Sequence, residues 1–185
     1  RVFHAVSVQG SERRSGGDQG PRRTILTIAG PRHLEERSWR LFRTMYPGAE
    51  IERLARKIRF VVIEPGDSVR FGPVRVAAIR TPHMTRDKSL AYRIAVGGRT
   101  IVFSGDSGWT DELLSFSAGA DLFLCECTYF ESAQLKFHIN YPELAEKREQ
   151  LQVKRLVLTH LGREVLEHMA EIQIETASDG MKIEV

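Results

Sequence analysis

An apolar, β-branched run, Ile101-Val102-Phe103, breaks off abruptly at Ser104-Gly105-Asp106-Ser107-Gly108. A run of that kind reads as a buried strand, and the Gly-flanked segment after it as a tight loop. The sequence therefore predicts Asp106 at a strand end. Glycine on either side lets the backbone bend sharply there and lets a metal ion or an anionic ligand approach closely. An ordinary strand-to-helix turn, in which Asp106 and Ser107 satisfy backbone donors, accounts for the same residues.

The neighbourhood of this loop sets the fold class. Short strands are predicted over Thr24–Ala29, Arg59–Ile63, Ser68–Phe71, Val74–Ile79, Leu90–Val96 and Arg99–Phe103, with Gly97-Gly98 as a two-residue hairpin signal. Further strands follow at Asp121–Cys125, Lys154–Thr159 and Lys182–Val185. Helices are predicted from Gly30-Pro31 to about Tyr46, from Thr110, near Pro142–Gln150 and over Arg163–Met169. A meander followed by βαβα units implies an α/β fold with a mixed sheet and outer helices. Residues 1–23 open with the alternation Val2-Phe3-His4-Ala5-Val6, then turn Gly-, Ser- and charge-rich, and read as an irregular segment ahead of a domain over 24–185.

At 185 residues the chain has the size of one domain with a real core. Its net charge of +3 comes without a basic block interleaved with aromatics, so nucleic acid is permitted but not indicated. No apolar run approaches the roughly 18 residues of a membrane span, and no signal-peptide pattern opens the chain, which points to a cytoplasmic protein. Cys125 and Cys127 read as packing residues in a reducing compartment. The first residue is Arg1, which suggests a processed or partial product.

Two residues share the context of Asp106. His83 follows the strand Val74–Ile79, and His160 follows Lys154–Thr159. Loops beyond strand ends are where ligand sites collect in open α/β sheets, and imidazole with carboxylate suits zinc, manganese or iron. His138, in a polar loop before a helix, has the chemistry to move a proton near neutral pH. His33 and His168 lie in helical patterns and read as structural, and His4 has no informative neighbours. The intervals of 23 residues (83 to 106) and 54 residues (106 to 160) match no compact metal motif.

TPHM, SLAYRI, GRTIVFSGDSGWTDELL, GADLFLCECTYF, FHINYPELA and KRLVLTHLG, in that order, resemble the second part of a metallo-β-lactamase-fold hydrolase of the ribonuclease Z-like branch, over about Thr24 to Val185. The resemblance implies a four-layer αββα fold, incomplete at its N-terminus, with a two-zinc site along one edge of the sheets. It implies His83 as a ligand of the first ion, Asp106 as the carboxylate bridging both, and His160 as the last ligand of the second. His138 resembles the histidine that assists proton transfer. The implied chemistry is hydrolysis of a phosphodiester, ester or lactone by a metal-bridged hydroxide.

The chain departs from the family in lacking an HxHxDH segment, since its six histidines include no near neighbours. The expectation is a truncated, impaired form, with a catalytically inactive binding or scaffold protein as the alternative. Bared sheet edges would favour a homo-oligomer. Ribonuclease Z enzymes that process tRNA carry a long arm between the counterparts of His83 and Asp106, where this chain has a plain hairpin. A small-molecule or generic phosphodiester substrate is expected instead of tRNA.

Overall fold

The computed structural model describes residues 6–10, 25–48, 51–83, 89–131 and 136–185. The alternation over residues 2–5 and the irregular stretch expected over 11–23 lie outside these. The chain divides into two compact units, Phe3–Glu64 and Pro65–Val185.

In the first unit, strands β1 (Val6–Gly10), β2 (Ile25–Gly30) and β3 (Ile58–Val62) form a sheet in that order. β1 runs antiparallel to β2, so regular backbone begins inside the stretch that the sequence predicts to be irregular. Pairing with a neighbour supplies there what intrinsic propensity does not. β3 is parallel to β2, which requires a crossover. Helices α1 (Leu34–Met45) and α2 (Ile51–Ala55) provide it. Glu35 and Glu36 in the first turn of α1 and Arg43 in its last complement the helix dipole. Trp39 meets Phe60 of β3 edge to face at 5.8 Å between ring centroids. The five residues of α2 are too few to show a helical period, and the sequence does not predict them.

The second unit is built on a seven-stranded sheet. β4 (Ser68–Phe71), β5 (Val74–Arg80), β6 (Leu90–Val96) and β7 (Arg99–Phe103) are an antiparallel meander. Val96 pairs with Arg99 across Gly97-Gly98, both at positive φ (58° and 79°), which is why the turn takes two glycines. From β7 onward the pairing is parallel, through β8 (Leu122–Glu126), β9 (Leu156–Thr159) and the short β10 (Glu175–Thr176). The crossovers carry α3 (Glu112–Ser117), α4 (Tyr141–Lys147) and α5 (Arg163–Glu167).

Ile79, Val102, Phe123 and Leu158 from the strands pack with Leu113, Leu144 and Val165 from the three helices in one core. Cys125 and Cys127 are buried in that core as free thiols. Burial pushes the Cys127 thiol up to about 12.

The strand predicted over Lys182–Val185 does not form: residues 181–185 have no regular structure, and Met181 and Val185 are exposed. An alternating pattern needs a sheet edge to pair with, and β10 already holds the edge beside β9. Arg155 fixes β10 there by donating to both oxygens of Glu175 at 2.8 and 2.6 Å.

Because β6 is antiparallel to both β5 and β7, the strands β5, β7, β8 and β9 all run the same way. Their C-terminal ends lie along one edge of the sheet. Among the described residues, no helix is long and apolar enough to cross a membrane.

Candidate metal centre

Each strand of that edge delivers a polar residue. His83 follows β5, Asp106 follows β7, Glu126 ends β8, and His160 follows β9 directly. His138 enters from the loop between β8 and α4. His160 Nε2 lies 3.5 Å from Asp106 Oδ1. The His138 ring stacks on His160 at 5.3 Å and stands edge-on to His83 at 5.1 Å between centroids. The four residues singled out in the sequence thus lie together, while His33 heads α1 and His168 stacks on Phe130 behind α5.

The loop at Asp106 is held by its neighbours. Gly108 N–H donates to the Pro82 carbonyl at 2.7 Å, which ties the His83 segment to the Asp106 loop. A Cβ on Gly108 would stand 2.1 Å from the Lys136 carbonyl oxygen, so only glycine allows this approach to the His138 loop. Asp106 itself is 8 % exposed.

Glu126 was not among the residues that the sequence pointed to. It is 1 % exposed, and its carboxylate organises the site. Oε1 accepts from the Ser107 N–H and, at 2.9 Å, from His138 Nδ1. Oε2 accepts from the Thr128 hydroxyl at 2.8 Å and from the Ile139 N–H at 3.2 Å. All four lone-pair directions of the carboxylate are engaged. Burial raises its pKa, and the bonds from Ser107, His138 and Thr128 pull it back. The signal in the sequence is the charge itself, an acid closing the apolar run LFLC in a buried parallel strand. Thr128 carries no such signal, because a threonine in a loop breaks no pattern.

The donor set fits a metal ion. Ligand atoms of Glu126, His138 and His160 all lie within 4.8 Å of one another. With its lone pairs engaged, Glu126 is the least open of these to an ion. Two ligands on one tetrahedral zinc, each about 2.1 Å from it, are about 3.4 Å apart. His160 Nε2 and Asp106 Oδ1 stand at that spacing, 3.5 Å, which is long for a direct hydrogen bond.

A sheet edge of this topology carrying histidines and a carboxylate offers a metal ion its ligands. The chain belongs to the β-lactamase superfamily: the family model described as "Beta-lactamase superfamily domain" matches residues 21–161. Its relatives lie among the metallo-β-lactamase-fold proteins. It is 28 % identical over 103 residues to the probable metallo-hydrolase YhfI of Bacillus subtilis, covering 55 % of this chain and 41 % of that one. It is 32 % identical over 99 residues to the uncharacterized protein ML1173 of Mycobacterium leprae, covering 52 % and 34 %. The matches thus span about a third to two fifths of these relatives' length.

Among solved structures, it resembles YhfI with a TM-score of 0.57 at 18 % identity, covering 82 % of this chain and 83 % of that one. Zn(2+)-bound PqqB from Methylobacterium extorquens gives 0.65 at 15 %, covering 88 % and 66 %. Human tRNase Z, short form, gives 0.58 at 22 %, covering 85 % and 66 %. At these identities the likeness is one of fold.

Proposed function

We propose that this chain carries part of the active site of a metal-dependent hydrolase acting on phosphodiesters, or on esters and lactones. In this reading His83, Asp106 and His160 are the metal ligands and His138 is the residue that moves a proton. The observation that carries it is the 3.5 Å approach of His160 Nε2 to Asp106 Oδ1 at the ends of neighbouring strands. In the two-ion arrangement that the resemblance implies, His83 would serve one ion, His160 the other and Asp106 both, and zinc, manganese or iron accepts such imidazole and carboxylate donors. That PqqB, a relative in fold, is Zn(2+)-bound supports zinc.

A divalent ion held there would supply a water of lowered pKa and a positive charge for the oxyanion that develops. The chain's own residues do the remainder. Glu126 Oε1 accepts the Nδ1–H of His138, which leaves Nε2 of that ring for proton exchange with a bound substrate. If His138 takes up a proton, the same carboxylate stabilises the imidazolium, as the acid of a catalytic triad does. The stacking of His138 on His160 keeps the proton carrier beside the ligand set.

tRNA is not the favoured substrate. Only 22 residues separate His83 from Asp106 in the sequence, and those described form β6 and β7 with their two-residue turn. The test is hydrolysis of bis(p-nitrophenyl) phosphate and of p-nitrophenyl acetate by the chain with Zn²⁺ or Mn²⁺. Metal-dependent turnover that Asp106→Asn reduces to background is expected. No bound metal and no turnover of either probe would overturn the reading in favour of an inactive binding or scaffold protein.

A further inference from the structure

Thr128 stands where three groups compete for one hydroxyl. Its Oγ1 lies 2.8 Å from Glu126 Oε2, 3.2 Å from the His160 carbonyl oxygen and 2.7 Å from His160 Nδ1. A hydroxyl has a single proton to give. The carboxylate and the carbonyl can only accept, so the proton goes to them, and the closer Glu126 oxygen is the better acceptor. If the proton went to His160 Nδ1 instead, the Thr128 oxygen would face the Glu126 carboxylate lone pair to lone pair at 2.8 Å. The short contact with Nδ1 is therefore satisfied one way: the ring donates Nδ1–H to Thr128. His138 does not compete, because its own Nδ1 lies closer to Glu126 Oε1, at 2.9 Å, than to Thr128, at 3.4 Å.

We infer that Thr128 is a positioning residue that holds His160 in its Nδ1–H tautomer, so that the unprotonated Nε2 faces Asp106 and is ready for a metal ion.

Two features of the backbone support this. His160 adopts φ of 51°, a left-handed conformation unusual for a residue other than glycine or asparagine. That twist brings both its carbonyl and its ring nitrogen to the same hydroxyl. Gly162 then lets the chain lie against the Thr128 segment, since a Cβ there would stand 2.0 Å from the Thr128 carbonyl oxygen. The relay Glu126 to Thr128 to His160 thus has the form of an outer shell that fixes a ligand's tautomer through its second nitrogen. In that tautomer His160 Nε2 and Asp106 Oδ1, 3.5 Å apart, are both acceptors, and a cation bound between them would satisfy both.

The inference rests on reading His160 as a metal ligand, and the experiment separates the two. Long-range proton–nitrogen NMR of the full chain, labelled with ¹⁵N-histidine, stripped with EDTA and held at pH 8 where an ordinary imidazole is neutral, reports the His160 tautomer without any metal. The wild type and Thr128→Ser, which keeps the hydroxyl, should show Nδ1 protonated and Nε2 bare. Thr128→Val should lose that preference, and zinc titration should show its affinity reduced about 10- to 100-fold with serine restoring it. An Nε2–H tautomer in the wild type, or an unchanged tautomer in Thr128→Val, overturns the inference. If the valine variant does not fold, the wild-type tautomer decides alone. A wild type with the Nδ1–H tautomer but no affinity for zinc supports the lock and overturns the metal reading instead.

Discussion

Each oxygen of Glu126 receives one backbone N–H and one side-chain donor, Ser107 with His138 on one side and Ile139 with Thr128 on the other. An amide in its place would have to point its NH₂ at one of those two backbone N–H groups, whichever way it turned. Neither N–H can rotate away, so one buried donor is left facing another. Glu126→Gln should cost about 1–3 kcal/mol of stability, read as a lower urea midpoint with an unchanged denaturant slope. An unchanged midpoint would show that the carboxylate is not the hub of the site. Asp106 was legible because a Gly-flanked acid after an apolar run breaks the pattern openly; Glu126 broke it too, at the end of LFLC, but was not picked out from it. Nor were the groups that bind Glu126 legible. Ser107, Ile139 and Thr128 contribute a backbone N–H, a second backbone N–H and a hydroxyl, groups that no side-chain period records.

Strands β7, β8 and β9 are tied together at the edge opposite the site by Asp121. Its carboxylate accepts from the Thr100 N–H at 2.8 Å, from Lys154 at 2.8 Å and from Arg99 at 3.1 Å. The bonds from Lys154, Thr100 and Arg99 hold the carboxyl well below the usual carboxylate range. A folded-state pKa below the unfolded value of about 4 stabilises the fold at pH values above that value. The contribution disappears as pH falls toward the folded-state pKa. Asp121→Asn should therefore lower the melting temperature at neutral pH and make the acid limb between about pH 4 and 2 shallower. Acid limbs that superimpose would contradict the assignment. Elements of this kind were readable where chemistry is dense, as at Gly97-Gly98 and in the β-branched runs of β7 and β9. The two residues of β10 are too few to read, and Met181–Val185 alternates without an edge to join.

At the scale of the molecule, what matters is that β5, β7, β8 and β9, with the short β10, run the same way in one sheet. His83, Asp106 and His160 lie 23 and 54 residues apart in sequence, and nothing in those intervals announces a site. The order of elements does: a meander that reverses twice from β5 to β7 and then goes parallel brings the ends of β5, β7, β8 and β9 to one edge. Fold class and ligand candidates could be read from that order and from the family resemblance, whereas the hydrogen-bonded shell behind them needed coordinates. The most direct test is anomalous diffraction at the zinc edge from crystals of the chain soaked in zinc. The account predicts a peak between His160 Nε2 and Asp106 Oδ1, lost in Asp106→Asn. Zinc found only elsewhere, as at His33 or His168, or no peak at all, would contradict it.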